Sequence, residues 1–136
     1  MKASIAQWIG CRDKQEDSYR VKYFPDGLLV VVADGMGGHH NGELASAEAV
    51  RAFEASFADL TTEGRPVAER LMTALNVANE AVGHAFADCS NRGGTTLVAA
   101  FIGQGVIRWV SVGDSPLVLW RGGRLLRLNA DHSLRA

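Results

Sequence analysis

Two stretches of this chain repeat apolar residues every three or four positions, and stretches that repeat them every two lie on either side. Leu44, Ala47, Val50, Phe53, Phe57 and Leu60 share one face of a helix. Asn41 can cap its first turn, and Glu43 complements the dipole there. A second helix opens at Pro66, a favoured first position, and carries Val67, Leu71, Leu75, Ala78, Val82 and Phe86 on one stripe. Thr61 to Arg65 links the two. Before them, residues 3–10 and 19–24 alternate loosely and residues 28–33 run aliphatic, which predicts three strands, with Pro25-Asp26-Gly27 connecting the last two. After Gly93-Gly94, strands are predicted over 95–102, 106–112, 116–121 and 124–128. Gly103-Gln104-Gly105 and Gly122-Gly123 turn the hairpins. Strands, two helices and more strands in hairpins predict an α+β domain with mostly antiparallel sheet.

Composition narrows the function classes. The 136 residues are 47% hydrophobic and carry a net charge of −1, so they suit one folded domain over 1–136 with no basic excess for nucleic acid. No apolar run approaches the roughly 20 residues that cross a bilayer, and Met1 to Ile5 lack the apolar stretch of a secretory signal. Cys11 and Cys89 stand far apart without metal-ligand spacing, which predicts reduced thiols packed as small hydrophobes. A cytoplasmic protein without membrane or nucleic-acid partners is the expectation.

The chemistry concentrates near the first strands. The aliphatic run Leu28–Val32 feeds into Asp34, which heads Asp34-Gly35-Met36-Gly37-Gly38-His39. A carboxylate at the end of a buried strand, followed by a glycine turn, is a poor core element and a good holder of a hard cation. The glycine run is not a nucleotide loop: it lacks the Gly-Lys-Ser/Thr ending, and His40 stands where a dinucleotide fold needs its third glycine.

Arg12-Asp13-Lys14-Gln15-Glu16-Asp17-Ser18, Val32-Ala33-Asp34-Gly35-Met36-Gly37-Gly38, Gly93-Gly94-Thr95-Thr96 and Ser111-Val112-Gly113-Asp114-Ser115 occur in that order, and Asn129 to Leu134 close the series. Together they resemble the metal-dependent serine/threonine protein phosphatases, the PPM family of type 2C, in its bacterial form. The resemblance implies two stacked antiparallel sheets flanked by helices, a β-sandwich with the site between the sheets at one end. It also implies hydrolysis of phosphoserine and phosphothreonine by water that two Mg²⁺ or Mn²⁺ ions activate. The partners so implied are a phosphoprotein substrate and an opposing serine/threonine kinase.

Residue by residue, the resemblance makes Asp34 the ligand shared by both ions, with Gly35 offering its backbone carbonyl. Glu16 and Asp17 match the acidic pair near the second ion, and Arg12 the phosphate-binding arginine, whose planar fork suits bidentate contact. Asp114 matches a ligand of a third, weaker ion; capping its own turn is the alternative. No histidine stands where a general acid is found in many relatives, although His39 could substitute. His84 is expected at the surface and His132 as a helix cap. Gly93-Gly94-Thr95-Thr96 reads as sheet packing behind the site.

The pattern departs from the family at its far end. Relatives continue through further helix and strands that bring two more aspartates to the metals, whereas after Asp114 the sole acidic residue here is Asp131. Three expectations follow: a fragment of a larger phosphatase, a domain completed by a partner chain or by exchange within a dimer, or a non-catalytic binding or regulatory module. The presence of Arg12, Glu16, Asp17, Asp34 and Gly35 together favours the first.

Overall fold

A computed structural model describes residues 1–38 and 40–132. The predicted strand over 28–33 runs on as β2, Gly27–Met36, and pairs with β1, Asp17–Phe24. Two helices follow, α1 over Asn41–Thr62 and α2 over Val67–Ala85. The chain then returns as β3, Gly94–Thr95, β4, Leu97–Gly103, and β5, Val106–Val112. These strands form one antiparallel sheet in the order β1-β2-β4-β5, with β3 beside the end of β2. A separate two-stranded ribbon, β6 over Val118–Arg121 and β7 over Arg124–Arg127, completes the described chain. The architecture is α+β with antiparallel sheets, as the element order predicts.

Alternation sorts the sheet into two faces. Leu29, Val31 and Ala33 of β2 and Leu97, Ala99 and Phe101 of β4 are buried against the helices. Phe57 of α1 lies at the centre of this core, its ring centroid 5.3 Å from Phe24 and 5.4 Å from Phe101. Its truncation to alanine costs about 3–5 kcal/mol for an aromatic of this kind. The other face carries Asp17, Tyr19, Val21 and Tyr23 opposite Asp34, Val32, Val30 and Leu28. Tyr23, Val32 and Trp109 on this outer face are exposed.

Four expectations are corrected. Residues 3–10 form no strand; residues 1–7 cross the outer face instead, lining with Tyr19, Val21 and Val30 an open groove of about 510 Å³. Their hydrogen bonds to the sheet are isolated ones, Gln7 Nε2 to the Asp17 carbonyl and Tyr23 Oη to the Met1 carbonyl, so no ladder is built. Asp34-Gly35 is not a turn: β2 continues to Met36 because β3 supplies Gly35 and Met36 with partners. Asn41 is the first residue of α1 and not its cap; His40 holds that position at φ 69°, and the Asn41 amide donates to the Asn91 carbonyl. Cys11 and Cys89 are exposed free thiols and not core residues, since both lie on loops.

The helices are rotated differently from their apolar patterns. On α1 the buried stripe is Gly42, Ala45, Ser46, Ala49, Val50, Ala52, Phe53 and Phe57, while Leu44 is 46% exposed. Small residues in the first turns let the helix backbone approach β2, and closeness outweighs the apolar area of one leucine. On α2, Leu71, Ala78 and the following Phe86 are buried as patterned, Ala74 is buried outside the predicted stripe, and Pro66 is the cap. Arg70 is buried beside them, its side chain 7% exposed.

Candidate active site

The site is built outward from the ladder between β1 and β2. Asp17 and Asp34 face each other directly in this register, which sets both carboxyls on the outer face at one end of the sheet. Asp34 keeps its proton more tightly than an ordinary aspartate. Burial is the largest cause, then a hydrogen bond with the Asp17 carboxyl, then the charge of Asp17; Arg12 opposes the shift and Asp114 adds to it. Three of the other residues expected at the site, Arg12, Asp17 and Asp114, therefore stand within electrostatic reach of Asp34. With Asp34 they come from the turn before β1, from β1, from β2 and from the turn after β5.

Glu16 and Gly35 join them mainly through the backbone. The Glu16 carbonyl accepts from Gly35 N at 3.0 Å and from Ser46 Oγ of α1 at 2.6 Å. Ser46 is fully buried and also meets Ser18 Oγ at 2.9 Å, so the helix clasps the first strand just behind the acidic pair. The Glu16 carboxylate lies against the first turn of α1, where a Cβ on Gly42 would come within 2.9 Å of its Cδ. Helix N-termini favour negative charge. Gly35 is a glycine for the same reason of proximity: a Cβ there would run into the Gly42 carbonyl and within 2.7 Å of the Glu16 carbonyl. Packing against α1, and not only carbonyl access, excludes a side chain at position 35.

The sequence reading did not mark Ser46, Gly42, Ser115 or Asn129 as parts of this site. A serine and a glycine in the first turns of an amphipathic helix carry no signal of their own. Thr96 was legible only as part of the Gly-Gly-Thr-Thr packing motif, yet it contacts Asp34 through its backbone. His39 lies outside the described residues. His84 is exposed as expected, and His132 N donates to the Gly113 carbonyl; whether it caps a helix falls on residues beyond those described.

The donor set offers carboxylate and carbonyl oxygens, the chemistry that Mg²⁺ and Mn²⁺ select. Among the described residues, no three His, Cys, Asp or Glu side chains converge closely enough to enclose an ion. The nucleus is thus the Asp17–Asp34 pair. Such a set fits a hard divalent ion that keeps several of its waters. Among the described residues no helix is long and apolar enough to cross a membrane.

Comparison with known proteins decides the family, because the model for protein phosphatase 2C matches residues 11–134. The chain belongs to the protein phosphatase 2C family. Within it, the chain is 39% identical over 112 residues to the serine/threonine phosphatase Stp of Listeria monocytogenes serovar 1/2a, covering 78% of this chain and 44% of that protein. Protein phosphatase PhpP of Streptococcus pneumoniae is 33% identical over 108 residues, at the same coverage. Among solved structures, the PPM Ser-Thr phosphatase MsPP of Mycobacterium smegmatis, in complex with cacodylate, superposes with a TM-score of 0.73 at 35% identity. That match covers 90% of this chain and 50% of MsPP. The catalytic domain of the phosphatase PstP, in complex with two manganese ions, superposes at 0.74 with 30% identity, over 90% of this chain and 52% of that one. The chain spans about half the length of the 2C relatives it matches.

Proposed function

We propose that this chain supplies the metal- and phosphate-binding half of a metal-dependent phosphatase that acts on phosphoserine and phosphothreonine. One observation carries the reading: Asp17 and Asp34 stand directly opposite each other on the outer face of the sheet, with the Arg12 charge near enough to act on Asp34. Family membership and the two manganese ions of the PstP structure support it. Asp34, Asp17, Glu16 and the Gly35 carbonyl would hold two Mg²⁺ or Mn²⁺ ions, and Asp114 would hold a third, weaker one. Bound ions supply the charge that activates water and neutralises phosphoryl oxygens. Arg12 holds the phosphoryl group through its planar fork. Hydrolysis by activated water needs no thiol nucleophile, and Cys11 and Cys89 are exposed free thiols on loops.

The substrate class is a phosphoprotein in bacterial signalling, opposing a serine/threonine kinase in the cytoplasm. Two free thiols agree with a reducing compartment. Exposed Tyr23, Val32 and Trp109 support a completing layer over the outer face, from a partner chain or an exchanged element in a dimer.

Mn²⁺ titration of the full chain by calorimetry, paired with hydrolysis of p-nitrophenyl phosphate, tests the reading. Wild type takes up Mn²⁺ and Asp34→Asn does not; equal uptake or equal turnover in that variant refutes it. The sparse donor set favours a second reading, a phosphoprotein-binding module without turnover. That reading predicts retention of a phosphothreonine peptide with no phosphate released in Mn²⁺.

A further inference from the structure

On the side of Asp34 away from Asp17, the ladder departs from its regular form. The pairs Val32 with Val98 and Gly35 with Thr95 place Asp34 opposite Thr96. Thr96 N donates to the Asp34 carbonyl at 2.9 Å, as an antiparallel pair requires. The return bond does not go to a carbonyl: Asp34 N donates to Thr96 Oγ1 at 3.0 Å. The Thr96 carbonyl instead accepts from Thr95 Oγ1 at 2.8 Å. A side-chain hydroxyl has thus replaced main chain at the one rung that carries the central carboxylate.

That hydroxyl has a second partner. Thr96 Oγ1 lies 2.6 Å from Ser115 Oγ; Thr96 is 2% exposed and Ser115 is half-buried. Ser115 directly follows Asp114. Its carbonyl accepts from Asn129 Nδ2 at 2.8 Å, and Asn129 Oδ1 accepts from Leu117 N at 2.7 Å. The Gly113 carbonyl accepts from His132 N at 2.9 Å. Gly113 itself has φ 97°, and a Cβ there would lie 2.7 Å from Thr96 Cγ2, so the turn sits hard against the threonine. A valine at 96 would keep this packing. The hydroxyl adds the link between two strands' ends that carry separate carboxylates.

We propose that Thr96 and Ser115 are positioning residues: their hydroxyl pair locks the Asp114 turn to the Asp34 rung and fixes the spacing of those two carboxylates for divalent ions. This rests on the metal reading above. Partners that orient metal ligands typically change affinity by about 10–100-fold when removed. A bond that serves only the sheet lowers stability and leaves the affinity of the folded protein alone.

The test compares Thr96→Val, Thr96→Ser and Ser115→Ala in the full chain. Mn²⁺ affinity is read by calorimetry, with amide hydrogen exchange in metal-free protein alongside. Thr96→Val and Ser115→Ala each weaken Mn²⁺ binding by about 10-fold or more while Thr96→Ser restores it. Ser115→Ala speeds exchange at the amides of 113–115 and leaves the Asp34 amide protected, since that bond ends on Thr96. Thr96→Val speeds both. Unchanged Mn²⁺ affinity in folded Thr96→Val, beside a wild type that binds, overturns the positioning role. Wild type that takes up no Mn²⁺ overturns the metal reading instead, and the exchange pattern then decides the link alone: acceleration in Thr96→Val confined to Asp34 refutes it.

Discussion

Asp17 stands directly opposite Asp34 across the β1–β2 ladder, both on the outer face of the sheet. Like charges placed opposite each other in a ladder are destabilising by roughly 0.2–1 kcal/mol. Nothing in the packing of the fold needs them there. The arrangement is a local cost that a divalent cation would offset.

Neutralising one partner therefore stabilises the metal-free protein. Asp34→Asn keeps the shape of the side chain and can donate to Asp17. We expect a gain of about 0.5 kcal/mol near neutral pH, within the range for such pairs. The pH dependence has a defined sign. Burial and the Asp17 carboxyl hold the Asp34 pKa above the usual aspartate range, so its contribution to stability is complete below the unfolded pKa and is lost as pH rises through the folded one. Urea titrations of both forms across that interval should show wild type losing stability relative to Asp34→Asn. A wild type that gains instead would contradict the carboxyl pairing.

Arg12 approaches Asp34 closely enough to oppose its raised pKa, yet it is exposed at the turn before β1. Its proposed partner is the phosphoryl group. Arg12→Ala in an active, completed form should raise KM for p-nitrophenyl phosphate about tenfold or more, with a much smaller change in Mn²⁺ affinity. Loss of a charge-assisted hydrogen bond of about 1.5–3 kcal/mol is enough for that effect. A dominant loss of Mn²⁺ binding would mean that Arg12 organises the acidic cluster.

A second charged pair is purely structural. Arg70 of α2 is buried over the rings of Phe57 and Phe101 and grips Asp26, in the β1–β2 turn, at 2.5 Å. It also donates to the Arg65 carbonyl and to Thr61 Oγ1. The hydrogen bond from Arg70, with its charge, holds the Asp26 pKa below the usual range. The stability this contributes is present above the unfolded pKa and is lost as pH falls through the depressed folded value. Asp26→Ala leaves a buried guanidinium without its counter-charge and should cost about 3 kcal/mol, the lower end for breaking such a pair. Chemical denaturation at neutral pH measures it, and the difference from wild type should shrink in acid.

Much of this was legible in the chain, and the misses share a cause. Leu28 to Val32 announced the central strand. Gly103-Gln104-Gly105 and Gly122-Gly123 announced hairpin turns; Gln104, Gly105, Gly122 and Gly123 have positive φ, while Gly103 ends β4. Asp34 was marked by its place at the end of an aliphatic strand, and Asp17, Arg12 and Asp114 by the family resemblance; the fold sets these three near enough to act on Asp34. What periodicity hid were close approaches between elements. The extension of β2 through Asp34-Gly35 depends on β3, about 60 residues away in sequence and only two residues long. Leu44 loses the core to Ala45 and Ala49 because small side chains let α1 press on β2. Thr96 reads as an ordinary strand residue until its hydroxyl is seen to accept from Asp34 N.

The press of α1 on β2 gives the last prediction, one whose sign runs against helix propensity. Gly42 lies in the first turn of α1, where alanine normally improves an exposed helix position by up to about 1 kcal/mol. Here a Cβ would meet Met36 N and Glu16 Cδ, each at 2.9 Å, and Gly35 opposite already excludes a side chain. Both neighbours are held: Met36 by its rung with Gly94, Glu16 by the bonds from Gly35 and Ser46 to its carbonyl. Gly42→Ala should therefore destabilise by about 1–3 kcal/mol, the usual cost of overpacking. The displaced Glu16 and β2 end should also weaken Mn²⁺ binding in the molecules that remain folded. Thermal unfolding with and without Mn²⁺ separates the two effects, because the shift that the ion confers on the midpoint should be smaller in the variant. A Gly42→Ala protein as stable as wild type, with the full Mn²⁺ shift, would mean that the helix start is free to move away from the strand.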